Sequence, residues 1–353
     1  MLEFLYEYGL FVAKAATLVA AILLVIGASA QLAQRRRDDG GHIEVTKLNE
    51  QLEENSLTLR ESVLEPAVLK QQQKAERKRE KAEAKALAKR IKKGENVEEE
   101  HKKRVFVLDF DGDIKASEVE ALREEITTVL DVASDKDEVL VRLESGGGMV
   151  HSYGLAASQL QRIRDQGVPL VVCVDRVAAS GGYMMACIAD RLLAAPFAVL
   201  GSIGVVAQMP NFHRLLKKND IDFELLTAGE YKRTLTMFGE NTDKGRQKFI
   251  EDLEDIHELF KSFVGEHRPQ LDLATVANGD VWFGRRALEH ALIDEISTSD
   301  EYLVKACRDA EVYQVRYVEK KSLPERFGIS VSSVLDRLLL TWWDRAQKSR
   351  FFS

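Results

Sequence analysis

Three short apolar runs constrain this chain most: "RVFVLDF", strand-like from Val105, "EVLVRLE" at Glu138–Glu144 and "LVVCV" at Leu170–Val174. Between them lie two stretches with apolar residues at helical spacing, Ser117 to Val132 and about Tyr153 to Asp165, the second closed by Gly167 and Pro169. Strands that alternate with helices return each time to the same end of a sheet and therefore pair in parallel. Helices on both faces of such a sheet explain why the runs are continuously apolar rather than alternating. Further on, "DKGRQKFIEDLEDIHELFKSFVGEH" has the pattern of one long amphipathic helix. The chain of 353 residues, 45% hydrophobic, can bury a core of this kind. The expectation is an α/β parallel-sheet domain over residues 104–318, without internal repeats.

The flanks read differently. From Tyr8 to Ala33 the only charged side chain is Lys14. A hydrocarbon core of about 30 Å needs about 20 apolar residues, so this stretch is long enough to cross one. Glu3 and Glu7 precede it, without the basic start of a cleaved signal peptide. Residues 1–34 are therefore expected to be an uncleaved transmembrane anchor. Residues 35–103 are charge-dense, with eleven Lys or Arg against three Glu between Lys70 and Lys93, and their apolar positions are mostly Ala. They suit a helical stalk, acting as a spacer or lying on anionic lipid. Residues 319–353 end in "SSVLDRLLLTWWDRAQKSRFF", an amphipathic tail for a membrane surface or a subunit contact. A net charge of −7 points away from nucleic acid as a partner. The three cysteines form neither a zinc pattern nor a disulfide framework.

Several motifs bear on chemistry. In "VLDFDGD", Asp109 and Asp111 resemble the first motif of haloacid-dehalogenase-type phosphatases, but Asp113 stands where that motif has Thr or Val. A calcium loop ending at Glu120 fails because Ile114 occupies the position of the turn glycine. A structural strand end is the simpler reading. His257 in "HELFK" has Lys261, not a second histidine, four residues on, so it reads as a surface helix residue. "ESGGGM" (Glu144–Met149) is either a tight turn or a set of backbone amides placed to hold a developing oxyanion. In "DRVAASGGYMMA", Ser180 lies between small residues at a strand-to-helix junction. It either caps the helix or acts as a nucleophile, the small neighbours leaving room for a carbonyl. A nucleophilic serine needs a base. His151 is one candidate; the other is Lys232 in "AGEYKRTL", after the strand-like "DFELLT", provided burial favours its neutral form. The plain alternative for Lys232 is an exposed, ion-paired lysine.

Taken in order, "LESGGGMVHSYG", "DRVAASGGYMMACIADRLLAAP", "GSIGVV", "AGEYKR" and "WFGRRALEHALIDEI" resemble the signal peptide peptidase A family, serine proteases of the ClpP/crotonase-like superfamily. The resemblance covers most of Val105 to Ile296. It implies a serine endopeptidase in which Ser180 is the nucleophile, Lys232 the general base and Ser202 the residue that orients the lysine. Gly181 with Gly147 or Gly148 would form the oxyanion hole. Gly146 departs from the proline usual in this loop. The resemblance also implies a homo-oligomeric ring, in which serine and lysine can come from adjacent subunits. No metal or cofactor is expected. Substrates would be signal-peptide-like or unfolded peptides at a bacterial inner membrane. Arg35-Arg36-Arg37 after the span would hold the body in the cytoplasm, whereas the resemblance implies the periplasm. The alternatives are a phosphatase, a crotonase-like acyl-CoA enzyme and a catalytically silent membrane scaffold.

Overall fold

The computed structural model describes residues 41–65, helical positions scattered between 67 and 89, and residues 102–319. The expected anchor, and the tail from residue 320 onward, lie outside the described residues. Among the described residues no helix is long and apolar enough to cross a membrane. Two compact units divide the chain; of the smaller, residues 41–44 and 317–319 are described, and there the Gly41 amide donates to the Tyr317 hydroxyl at 2.8 Å.

The larger unit is a mixed α/β structure around a parallel-rich sheet. Its centre is β2 (Arg104–Gly112), β3 (Glu138–Ser145), β4 (Leu170–Val174) and β6 (Arg191–Ala194), each parallel to the next. The register pairs Val105 with Glu138 and Val139 with Leu170. β10 (Glu311–Val318) lies parallel to β2, and β9 (Glu295–Ile296) parallel to β6. The apolar runs become fully buried strands: Val107, Leu108, Leu140, Val141, Val172 and Val174 have no exposed surface. Helix α2 (Val119–Val132) buries Leu122, Ile126 and Val129, and α3 (Val150–Asp165) buries Tyr153, Ala156, Leu160 and Ile163. The helical spacing in the sequence is thus the spacing of core contacts.

The sheet forks at the C-terminal end of β3. Ser145, its last residue, pairs with Ala178 of β5 (Val177–Ala179), and β5 pairs in parallel with β7 (Val199–Gly201). The antiparallel β8 (Val281–Phe283) closes this branch. The short helix α4 (Gly181–Ala186) starts directly after β5. The fork therefore sets the glycine loop and Ser180 side by side.

Two segments depart from the sequence expectations. The region read as a stalk begins with β1 (His42–Lys47), next to β10 in the sheet, followed by α1 (Leu48–Val63), which buries no residue. "DFELLT" (222–227) belongs to no strand. Its composition suits a strand, but among the described residues it has no strand partner. It lies in an arm that carries only α5 (His213–Lys218) before the long helix α6 (Asp243–His267), and no residue between Gly204 and Leu259 is buried. The bounds of α6 match the sequence pattern, and Thr242 caps it by accepting the Gly245 amide at 3.1 Å.

Candidate active site

Ser180 is the only residue from Val177 to Ala189 that is not buried. Its backbone has φ 53° and ψ −119°, a region that costs a non-glycine residue roughly 1–3 kcal/mol. Two hydrogen bonds hold it there. The Ser180 amide donates to the Gly201 carbonyl at 2.8 Å, and the Ser180 carbonyl accepts the Met184 amide at 3.0 Å. The Ser180 side chain makes no capping bond to α4, so the helix-cap alternative is not what this hydroxyl does.

The glycines follow from close approach. A Cβ on Gly181 would lie 2.5 Å from the Tyr153 ring, and one on Gly182 2.5 Å from the Ser145 carbonyl oxygen. Gly147 has φ +85°, and a Cβ there would lie 2.7 Å from the Gly181 nitrogen and 2.8 Å from the Ser180 Cβ. One on Gly148 would lie 2.1 Å from the Ile114 oxygen. Gly146 has nothing within 4 Å. The glycine loop thus lies directly against the turn that carries Ser180. The Gly147 amide is already engaged, donating to Ser145 Oγ at 3.0 Å.

Ser202 follows Gly201, whose carbonyl anchors Ser180. Ser202 has φ 51°, donates its amide to the Asp280 carbonyl at 2.7 Å, and is half-buried. Lys232 is exposed, in a turn where its amide donates to the Gly229 carbonyl at 3.2 Å. Its ammonium has no hydrogen bond or ion pair among the described residues, whereas its neighbour Glu230 pairs with Lys244. The structure therefore brings Ser180, Gly181, Gly147 and Ser202 together, and it shows no contact from Lys232 to any of them. His151 is exposed on the first turn of α3.

The acidic run after β2 has a structural role. Burial alone would raise the Asp109 carboxyl, but bonds from Arg142 and Arg316, with Gln314, hold it below its ordinary range. Asp113 accepts the amides of Lys115 and Ser117 at 3.0 and 2.8 Å, stopping the strand and starting the next turn. Asp175, before β5, accepts the amide of Ser299 at 2.8 Å and so fixes the start of α7 (Ser299–Asp309). Among the described residues no group of three or more His, Cys, Asp or Glu could hold a metal ion. Burial pushes the thiols of Cys173 and Cys187 up to about 12.

Two residues near the site escaped the sequence reading. His257, taken as a surface residue, places Nε2 3.1 Å from the carbonyl oxygen of Ile203, next to Ser202. Tyr153, read only as part of a helix, is fully buried beneath Gly181. Neither carries a local signal, because the partner of each is distant in sequence.

A parallel-rich α/β sheet that sets a serine in strained backbone, its side chain capping nothing, against a glycine loop suits a hydrolytic enzyme. The sequence matches the peptidase family S49 N-terminal domain over residues 3–160 and the peptidase family S49 domain over residues 162–313. The chain belongs to the S49 peptidase family and is a protease. It is 52% identical over 326 residues to the "Probable protease SohB" of Haemophilus influenzae, covering 92% of each chain. Identity to the protein of the same name from Buchnera aphidicola is 57% over 240 residues, 68% of this chain and 71% of the other. Similarity to "Protease 4" of Haemophilus influenzae is lower, 26% over 211 residues, 58% of this chain and 34% of the other.

Proposed function

We propose that the protease works as a Ser/Lys peptidase with Ser180 as nucleophile and Lys232 of an adjacent copy as base. The observation that carries this reading is Ser180 itself: half-exposed in an otherwise buried stretch, at positive φ, with a side chain that caps nothing. The branched parallel sheet, with its nucleophile at a strand-to-helix turn, is read as the ClpP/crotonase-like fold.

In this mechanism Ser180 Oγ adds to the peptide carbonyl while its proton passes to Lys232 Nζ. The lysine returns that proton to the leaving amine, and an acyl ester remains on Ser180. Water then attacks the ester and gives its proton to the same lysine, which passes it to Ser180 Oγ as the acyl–oxygen bond breaks. Gly181 supplies one amide to the oxyanion. With the Gly147 amide engaged by Ser145, Gly148 is the loop glycine assigned the other. Ser202 accepts a bond from the lysine and orients it.

The arm supports the partner copy. Val206 is 72% exposed, Leu226 91% and Leu259 70%, along a segment without a buried residue. A second copy packed against this segment would cover such apolar side chains. The proposed assembly is a homo-oligomer held to the bacterial inner membrane by residues 1–34, acting on unfolded or signal-peptide-like chains. The arginine triplet favours a cytoplasmic body and the family resemblance a periplasmic one; reporter fusions after Arg37 and at the C-terminus distinguish the two.

The test is cleavage of an unfolded protein by the detergent-purified full chain. Wild type is expected to cleave, with Ser180→Ala and Lys232→Ala at background. Equal cleavage by all three overturns the assignment.

A further inference from the structure

The mechanism above leaves Tyr153 unused, yet this one side chain touches Gly181, the end of β3 and the turn after β2. Its ring lies under Gly181, close enough that a Cβ there would be 2.5 Å from Cγ. Its hydroxyl donates to the Asp113 carbonyl at 2.7 Å and lies 2.5 Å from Ser145 Oγ. Ser145 Oγ in turn accepts the Gly147 amide at 3.0 Å and sits 3.3 Å from the Gly112 carbonyl.

The protons can all be placed. The Tyr153 O–H goes to Asp113, the Ser145 O–H goes to Tyr153 Oη or to Gly112, and a Ser145 lone pair takes the Gly147 N–H. Tyr153 has no exposed surface and Ser145 is 2% exposed. A buried hydroxyl pair carries a desolvation cost that Phe and Ala would avoid in the same space. When fully satisfied, it makes its surroundings rigid. Here the surroundings are the two backbone segments assigned to the oxyanion hole: the glycine loop, tied through Ser145, and Gly181, seated on the Tyr153 ring.

We propose that Tyr153 and Ser145 are positioning residues that set the distance between the glycine loop and the Gly181 amide. This rests on the Ser180 reading. Neither side chain touches substrate; both act through backbone amides. An oxyanion donor works only when aimed at the charge formed in the transition state. Loosening the loop therefore lowers turnover and leaves substrate binding in place.

The experiment uses the full chain in detergent, a fluorogenic unfolded-protein substrate and a peptide boronate that forms a tetrahedral adduct on a serine. Tyr153→Phe keeps the ring on Gly181 and removes only the hydroxyl. Ser145→Ala removes its partner. Each variant is expected to lose about tenfold or more in kcat with KM within about twofold. Boronate affinity is expected to fall in step with kcat/KM, and the double variant to lose no more than the worse single. Wild-type kcat in either variant, or a loss confined to KM with boronate affinity unchanged, overturns the proposal. If Tyr153→Phe fails to fold, Ser145→Ala carries the same expectations alone. Full cleavage by Ser180→Ala overturns the nucleophile assignment and this proposal together. Wild-type turnover in Tyr153→Phe alongside an inactive Ser180→Ala overturns the positioning role alone.

Discussion

From Val177 to Ala189 the chain leaves one side chain only half-buried, that of Ser180, and the neighbouring glycines are there because the Tyr153 ring or nearby backbone occupies the space of their side chains. Two substitutions in the loop should therefore separate cleanly. Gly147→Ala forces a side chain into positive φ and onto the Gly181 nitrogen, and is expected to reduce peptide hydrolysis by about 100-fold or more, the scale of a lost oxyanion donor. Gly146→Ala meets nothing within 4 Å and should stay within about twofold of wild type, as surface changes away from special geometry usually do. Thiol reagents offer another check. With burial holding Cys173 and Cys187 near 12, neither should be alkylated by iodoacetamide at pH 8 in the native protein, as read by mass spectrometry. At this scale the unusual setting of Ser180 was legible, because small residues on both sides are unnecessary for a cap. Tyr153 was not, because an aromatic on a helix face reads as core, and its hydroxyl gains meaning only once β2 and β3 end side by side.

The elements owe their stability to burial on both faces of the sheet and to ion pairs at its rim. Leu160, fully buried on α3, illustrates the first: Leu160→Ala should lower stability by about 2–5 kcal/mol in urea unfolding. Asp137 illustrates the second. Burial alone would raise its carboxyl, but Arg104 bonds it at 2.6 Å and Ser134 donates both amide and hydroxyl at 2.9 Å. Together they hold it at about 2, below the ordinary 3.8. A carboxyl lowered by folding stabilises the fold above its ordinary value and loses that contribution as pH falls toward the folded one. The contribution of Asp137 should be complete above about pH 4, fade by about pH 2, and amount to at most about 2 kcal/mol. Asp137→Asn should be less stable than wild type at pH 6 and approach it near pH 2, compared by urea unfolding at each pH.

"LVVCV" and α6 were legible to the residue because one is a short unbroken apolar run and the other a long stretch with a helical apolar period. β10 was not. "EVYQVRYV" mixes charged, polar and apolar residues, and its place beside β2 is set by a partner two hundred residues away in sequence. "DFELLT" shows the converse, strand composition without a strand beside it.

Across the whole molecule the proposed site is divided. Ser180 and the glycine loop belong to the sheet, while Lys232 belongs to an arm without a buried residue. The dyad proposed above would resolve the division, each copy lending its lysine to the next. Dilution below the assembly threshold should then abolish hydrolysis, and reconcentration should restore it. The most direct test combines two inactive variants. Ser180→Ala and Lys232→Ala are purified separately, dissociated, mixed and reassembled, and cleavage of an unfolded protein is measured. A dyad shared between copies requires each variant to be inactive alone and the mixture to recover a substantial part of wild-type activity. A mixture that stays at background, while wild type treated identically recovers, would contradict it.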